Sequence, residues 1–485
     1  MVHIDNHGGV GDSLGFIDLN ELLKCCNGNV EVVLNDLGVT TVLKRKYQWA
    51  STGDYTEIRP EDDLSKMVRL PTKIYLTPRL IAFIGLYDGD GNKARKGGRE
   101  IGFSQREINI HKFAYDMLKE VFNAHFLTKW SILEDTRRFE TPEMEKEIER
   151  IRFEMTNGPK ETNTSLVDLQ REYVRREFLQ SARKIGMTID ESQLRTPVIS
   201  PKKGARAAGN SSLEYIQNLY GSEKFLTLWL KMVRICTDSI ISNTQTTDGL
   251  VFFGKPHTFS LLTLNVKDYM QNLKWATRTR FGKYTIKEID DKYVAIGKSA
   301  KVKTFIRREL KLTPFFFLVA GIYLAEGDTK KDNFFIFEKT YAPLNIALTS
   351  SEPEYIAAFI RMLETMGKQL FKSWKVKVGT KYEWETEELA QRMGVITLRA
   401  GEKGQGYVRT LELDKELRNW GLANYPSLES YSNLYHHTEI TGVGIPRVHI
   451  QAVTQIAPYL VSLIRNSVFN FSNVITHTSR SNEDQ

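Results

Sequence analysis

Two stretches of this chain are almost wholly apolar and carry small residues four apart. They are Phe83-Ile84-Gly85-Leu86-Tyr87-Asp88-Gly89-Asp90-Gly91 and Val319-Ala320-Gly321-Ile322-Tyr323-Leu324-Ala325-Glu326-Gly327, which match position for position in size and polarity. Each follows a Thr-Pro pair, Thr77-Pro78 and Thr313-Pro314, which predicts a helix entered through a threonine cap with proline in its first turn. After the first copy come a basic loop, a strand-like stretch at 100–105 and, from the 3.6-residue period, an amphipathic helix at about 111–122. The second copy leads in the same order through Lys330-Lys331 to strand-like 334–337 and 344–349 and a helix over 353–366. Each half then reads strand, strand, helix. Residues 372–378 alternate basic and apolar side chains, and 407–413 lead into a helix at 415–420. The first half closes on strand-like 258–264 and a helix at 267–275.

Residues from 136 to about 254 have no counterpart in the second half and read as an insertion. Its charged helix at 142–155, its Arg-rich stretch at 169–185 and its Pro-Lys-Lys-Gly-Ala-Arg loop at Pro201 fit either a DNA-tracking accessory or a plain exposed helical subdomain. Near the start, 18–26 and 30–37 read as two short helices around Asn27-Gly28-Asn29, followed by Lys44-Arg45-Lys46. That pattern admits a helix-turn-helix or a small α/β cap with a solvated basic run. The expected division is a small N-terminal domain at 1–75, a first half with its insertion at 76–300, a second half at 301–425 and a C-terminal extension at 426–485. The fold class is α+β, two similar halves with a mostly helical insertion.

Composition narrows the class without naming a function. At 485 residues the chain is too long for one ordinary domain, and 41% hydrophobic with 26% charged residues excludes collagen-like, disordered and membrane-embedded chains. A net charge of +8 biases it mildly toward polyanionic partners. Cys25, Cys26 and Cys236 are too few for a disulfide framework and wrongly spaced for zinc, so a reducing compartment is expected. No secretory or transit peptide is apparent, and the longest apolar run, 315–325, is too short to span a bilayer, so an intracellular protein with no membrane partner is expected.

Residues four apart share a helix face, so Gly85 with Gly89, and Gly321 with Ala325, form small-residue stripes along which two helices can approach closely. A pair related by a pseudo-two-fold axis brings its ends together, and with them Asp90 and Glu326, each just before a glycine suited to a left-handed cap. Two carboxylates at the negative ends of helix dipoles repel, and a divalent cation resolves the repulsion. Hard oxygen ligands shared with phosphates are what Mg²⁺ prefers. Read singly, each motif also fits mere helix packing with a solvated acid.

In these residues the chain resembles the LAGLIDADG homing endonucleases, specifically the single-chain kind with two motifs, over roughly 77–275 without the insertion and 313–420. The resemblance implies an αββαββ arrangement plus a final helix in each half, and two four-stranded sheets forming a saddle on double-stranded DNA with a long recognition site. It assigns Asp90 and Glu326 as ligands of Mg²⁺ or Mn²⁺, with Gly89 and Ala325 beside them in the metal site, and leaves Asp88, where the second copy has Leu324, as a structural acid. It gives Gln105, Lys267 and Lys415 water-ordering roles in catalysis, with Ser350 the partner of Gln105. DNA contacts fall to Lys93, Arg95, Lys96, Arg99, Lys330, Lys331, Lys375 and Lys377. The implied reaction is metal-assisted cleavage of both strands leaving 3′ overhangs, by an intron-encoded monomer with internal pseudo-symmetry. The alternative class is a non-cleaving binder, an intron RNA maturase or a transcription regulator, and a third is an accessory protein of a larger complex. An intein needs a nucleophile first and an Asn last, whereas this sequence runs from Met1-Val2 to Asp484-Gln485, so a free-standing protein is expected.

Overall fold

The computed structural model describes residues 15–36, 39–63, 67–91, 100–122, 127–156, 164–200, 213–242, 249–252, 255–258, 262–272, 285–299, 302–327, 346–379, 398–399, 405–406, 411–441, 447–452, 457–469 and 478–480. It is mixed α and β with several antiparallel sheets, and among the described residues no helix is long and apolar enough to cross a membrane. Two compact units are present. One comprises Met1–Ile17, Ile74–Gly89 and Met232–Gln485, the other Asp18–Lys73 and Asp90–Lys231.

The chain opens with β1 (Phe16–Asp18), α1 (Leu19–Cys25), β2 (Asn29–Asp36), β3 (Val39–Ser51), β4 (Tyr55–Pro60), β5 (Val68–Pro71) and β6 (Lys73–Tyr75). Next come α2 (Pro78–Asp90), β7 (Ile101–Gln105), α3 (Ile108–Phe122), β8 (Leu127–Glu134), α4 (Pro142–Thr156), α5 (Leu166–Lys184), β9 (Val198–Ile199), β10 (Glu214–Tyr220) and α6 (Leu226–Ser242). After a hairpin of β11 (Gly249–Phe252) and β12 (Lys255–Thr258) follow β13 (Leu262–Asn265), α7 (Val266–Asn272), β14 (Thr285–Glu288), β15 (Tyr293–Ser299), β16 (Val302–Arg307) and β17 (Glu309–Leu312). Then come α8 (Pro314–Glu326), β18 (Ala347–Ser350), α9 (Pro353–Met366), β19 (Gly367–Lys368) and β20 (Phe371–Gly379). A small hairpin of β21 (Leu398–Arg399) and β22 (Gln405–Gly406), α10 (Leu411–Asn424), β23 (Tyr435–Thr441), β24 (Arg447–Ala452), α11 (Ala457–Phe469) and β25 (Thr478–Arg480) complete the chain.

The second series repeats the first, well beyond the two apolar helices. The sheets β7-β10-β8-β9 and β18-β24-β20-β23 have one strand order, two antiparallel pairings followed by one parallel pairing. Their registers agree as well. Phe103 lies opposite Gln217, and Gln217 opposite Trp130, while Leu348 lies opposite Ile450, and Ile450 opposite Trp374. Gly91 bridges to Phe103 and Gly327 to Leu348, so Gln105 corresponds to Ser350 and the two buried tryptophans correspond to each other. Ahead of each apolar helix stands a matching module. Strand β1 pairs with β6 and β13 with β17, and the helix after each first strand is capped by the side chain of Asp18 or Asn265. The Leu19 amide donates to Thr72 O and the Val266 amide to Arg308 O, both at 2.9 Å.

This register moves several expected boundaries. Strand β13 and helix α7, which lie in the stretch expected to close the first copy, open the second instead, and the first ends on β10 and α6. The second copy ends on β24 and α11, so what read as a C-terminal extension supplies its last strand and helix, and 411–413 begin α10 instead of ending a strand. Residues Asn29–Asp36 form a strand, not the second helix of a helix-turn-helix. Val30, Val32 and Leu34 are buried while Glu31 and Val33 are exposed, a period of two carried partly by β-branched residues.

The apparent insertion belongs to the fold. Leu169, Val174, Phe178 and Leu179 of α5, with Ile148 and Ile151 of α4, bury against Trp130, Ile132 and Tyr215 of the sheet. Its arginines are largely engaged locally: Arg138 with Glu134 and Glu177, Arg176 with Glu154 and Glu172, Arg171 with Asp168. The run Lys44-Arg45-Lys46 is likewise matched by Glu31, Asp62 and Glu61. Arg138–Glu134 is buried, whereas the exposed pairs among these hold little energy each, yet they neutralise charge that would otherwise face a polyanion. The loop at Pro201 lies outside the described residues.

Candidate active site

Both apolar helices start as their sequences dictate. Thr77 Oγ1 accepts from the Leu80 amide at 3.1 Å and Thr313 Oγ1 from the Phe316 amide at 3.2 Å. Along the shared stripe the backbones touch reciprocally. A Cβ on Gly85 would run into the Leu318 carbonyl and stand 3.1 Å from Ile322 N, and one on Gly321 would run into the Ala82 carbonyl and stand 2.7 Å from Leu86 N. One turn on, Gly89 abuts the Ala325 methyl, and its missing Cβ would lie 3.5 Å from Glu326 Cγ. The C-terminal turns of α2 and α8 therefore run side by side, and Asp90 and Glu326 are the last residues of these two helices.

The glycines after the acids work differently from the left-handed cap expected of them. Neither Gly91 nor Gly327 has a positive φ, and Gly327 is extended at φ −66° and ψ 138°. Space is what demands glycine at 327. A Cβ there would meet the Tyr323 carbonyl and come within 2.8 Å of the Tyr323 ring.

Gln105 reaches Asp90. Its Nε2 donates to Asp90 Oδ2, while its Oε1 accepts from the Arg106 amide at 2.8 Å, which fixes which end of the side-chain amide faces the acid. The backbone of Gln105 is held too, because His111 Nε2 lies 2.9 Å from its carbonyl oxygen and so carries the proton. His111 is fully buried, edge-on to Phe103 and Trp130 with ring centroids 5.5 and 5.4 Å away. Burial pulls its pKa from 6.5 down to about 4, against the opposing pull of the hydrogen bond to Gln105. The unfolded chain takes up a proton near pH 6.5, which the folded chain refuses until about pH 4. Stability from this group is therefore intact above pH 6.5 and falls as pH drops toward 4, by about 3 kcal/mol in all. Urea unfolding at pH 7.5 and 4.5 checks this: a His111→Phe variant is expected to lose less stability on acidification by about that amount.

The second copy differs at the corresponding place. Ser350 Oγ accepts from the Glu352 amide at 3.1 Å in the turn ahead of α9, and Tyr425 Oη donates to the Ser351 carbonyl at 3.0 Å and lies 3.4 Å from the Ser350 carbonyl. Asp88 is a buried acid whose backbone carbonyl accepts from Tyr355 Oη at 3.2 Å and whose charge acts on Arg234.

The two lysines given catalytic roles fall elsewhere. Lys267 sits in α7 at the opening of the second copy, its Nζ 2.7 Å from Glu288 Oε1. Lys415 is exposed on α10, ahead of β23 and not at the closing helix. The lysine that does precede a closing helix is Lys224, in the single turn Ser222–Lys224 before α6, where Arg45 donates to the adjacent Glu223 carbonyl. Lys93, Arg95, Lys96, Arg99, Lys330 and Lys331 lie outside the described residues.

Lys375 and Lys377 are half-buried on β20 and alternate with buried Trp374 and Val376. Lys375 shares its sheet face with His449 and Thr349, whose Nδ1 and Oγ1 are 2.8 Å apart. The matching face of the first sheet carries Ser104, Ser131, Lys129 and Asn218, with Lys129 Nζ 3.9 Å from the Tyr220 ring centroid. Sequence reading missed this face because β8 was not singled out and β10 lay inside the presumed insertion, although both alternate cleanly. Among the described residues no three or more His, Cys, Asp or Glu side chains gather into a group that could hold a metal. Comparison with protein-family models, with curated proteins and with solved structures found no match to this chain.

Proposed function

We propose that this protein is a site-specific endodeoxyribonuclease of the LAGLIDADG kind, in which Asp90 and Glu326 together hold Mg²⁺ or Mn²⁺ against a DNA phosphate. The observation carrying this reading is the reciprocal glycine contact of α2 and α8, because helices this close must end side by side, and each ends in an acid. The donor set suits the ion. Two carboxylates at the negative ends of abutting helices offer hard oxygen and net negative charge, the kind of donor that Mg²⁺ favours together with phosphate oxygen. When bound, the cation polarises the phosphate and stabilises charge on the departing oxygen.

The chain's own residues do the rest. Gln105 orients Asp90, and the buried His111 keeps Gln105 in register. The half-exposed faces bearing Lys375, Lys377 and Thr349 in one sheet, and Lys129, Ser131 and Asn218 in the other, serve as the two halves of a DNA-reading saddle, since alternate side chains of a strand point to one side. Lys224 takes the role first given to Lys267. The transcription-regulator alternative loses its motif, because Asn29–Asp36 is a strand.

Incubating the protein with a randomised plasmid library in Mg²⁺, and in EDTA as control, then sequencing all ends, tests the reading. Double-strand breaks with 3′ overhangs at one long site, in Mg²⁺ only, are expected. Retention of DNA or intron RNA with no cut ends in any divalent cation would replace the enzyme with a non-cleaving binder.

A further inference from the structure

The modules ahead of the two apolar helices correspond strand for strand over β3-β4-β5 and β14-β15-β16, and in the second one face of the sheet carries cations with no acid among them. The registers give the correspondence. The Thr72 amide donates to the Asp54 carbonyl and the Arg308 amide to the Lys292 carbonyl, both at 2.8 Å, and the next pair along is Tyr55 opposite Pro71 or Tyr293 opposite Arg307. Tyr55 and Tyr293 therefore hold one position. In the second module Lys287, Ala295, Phe305 and Lys368 lie directly opposite one another across β14, β15, β16 and β19, and Tyr293 with Arg307 forms the next pair on that face. Lys287, Arg307 and Lys368 are exposed, and among the described residues none of them has a carboxylate partner. The described acid of these strands, Glu288, lies across from buried Val294 on the other face and holds Lys267. The Tyr293 ring gathers the charge, with Lys368 Nζ 4.2 Å and Arg307 Cζ 6.0 Å from its centroid. The first module keeps the ring and one cation, Arg69 Cζ 4.3 Å from the Tyr55 centroid, but has Glu57 where the second has Ala295.

This face is tied to the core of its own copy. Strand β19 follows α9 directly and pairs with β16 so closely that a Cβ on Gly367 would run into the Phe305 carbonyl and stand 3.2 Å from Ile306 Cα. Lys368 then stands three residues ahead of β20, the strand that carries Lys375 and Lys377. We propose that the face of Lys287, Tyr293, Arg307 and Lys368 is a second DNA contact, gripping the phosphate backbone of duplex beyond the stretch read by the β18-β24-β20-β23 sheet. This deepens the nuclease reading above and rests on its DNA-binding part, not on the cut. Lys287 and Lys368 are three strand spacings apart, about 14 Å, which is close to the width of a major groove and lets the two cations reach phosphates on its two edges. A ring whose face carries an ammonium is not free to stack on a base, so the face suits duplex backbone and not single-stranded bases. Phosphate contacts carry no sequence information, so they add affinity on any duplex long enough to reach them.

The test measures filter retention by the full-length protein against salt on three kinds of duplex. These are the site recovered from the randomised library with bare ends, the same site extended by one helical turn, about 10 base pairs, on each side, and a random sequence of the longer length. Wild type is expected to hold the extended site more tightly than the bare one. The triple variant Lys287→Gln, Arg307→Gln, Lys368→Gln is expected to lose that gain and to show a salt slope shallower by about three on both long duplexes, and Lys368→Gln alone a slope shallower by about one. Arg307→Lys, which keeps the charge, is expected to keep the wild-type slope. A wild type indifferent to the extension, or a triple variant with the wild-type slope on both long duplexes, overturns the proposal. Weaker retention of structured RNA by the triple variant with DNA retention unchanged assigns the face to RNA and overturns it as well. Should the triple variant unfold at lower urea than wild type, the slope of Lys368→Gln alone decides. If the library yields no cut site, the nuclease reading falls, and the slopes on the random duplex still support or overturn the contact.

Discussion

Valine in place of Gly321 is expected to leave the protein unable to fold, and valine at Gly85 to do the same. Each glycine faces backbone, not side chain: Gly321 the Ala82 carbonyl and Leu86 amide, Gly85 the Leu318 carbonyl and Ile322 amide. A side-chain neighbour can change rotamer, but a helix backbone can move only by parting the helices. The residues at stake are fully buried, with Leu318, Val319, Ala320 and Ile322 at 0% exposure beside Ile81, Ala82 and Phe83. Overpacking a core by a few methyl groups costs about 1–3 kcal/mol, and separating a pair of helices forfeits the burial of a whole face besides, against a total stability of about 5–15 kcal/mol. Gly186→Ala is the control. Gly186 has φ +70° with nothing within 4 Å of its missing Cβ, so only the backbone preference of about 1 kcal/mol is lost there. Urea unfolding of the three variants checks the order; wild-type stability in Gly321→Val would remove the close helix pair from the account.

The parts of this fold that were legible in the sequence were those whose signal is local. The Thr-Pro entries, the small-residue stripes, the helix at 353–366 and the strand at 372–378 can each be read within one element, and the structure has α8 starting at Pro314 and α9 spanning Pro353–Met366. What failed was register across long connections. Strands β8 and β10 are sheet neighbours, yet α4, α5 and β9 lie between them in the chain, and nothing local in 214–220 says that it pairs with both 127–133 and 101–105. Reading the intervening helices as an insertion then displaced the ends of both copies, and with them Lys267 and Lys415.

The candidate site divides along the same line. Asp90, Glu326 and Gln105 were legible because each lies within a few residues of a helix or strand end. His111 was not, because an isolated histidine on an apolar helix face looks like any core residue until its Nε2 is found on the Gln105 carbonyl. Gly327 was singled out for a reason that does not hold: the glycine is there to clear Tyr323, and only coordinates distinguish that from a left-handed cap. The Arg-rich face of α5 fitted either a phosphate track or a plain exposed subdomain from composition, because the ion pairing of Arg171 and Arg176 to Asp168, Glu172 and Glu154 is a property of neighbours, not of composition.

Asp90→Asn and Glu326→Gln are expected to abolish cleavage, each by about a thousandfold or more, while leaving DNA binding unchanged or slightly stronger. Both substitutions keep the shape of the side chain and remove the negative charge that holds a divalent cation. Removing that charge from a surface facing phosphates does not weaken association, which depends on the basic residues. Both acids stand at helix ends and only partly exposed, so neither substitution buries an unpaired charge or opens a cavity. Stability within about 1 kcal/mol of wild type is expected, and this separates loss of chemistry from loss of fold.

The most direct measurement takes wild type, Asp90→Asn and Glu326→Gln with one DNA duplex carrying the recovered site, and follows retention in Ca²⁺ and cleavage in Mg²⁺ on the same samples. The two-carboxylate account predicts that all three proteins retain the duplex with similar affinity and that only wild type cuts it. Cutting by either variant at close to the wild-type rate would contradict it.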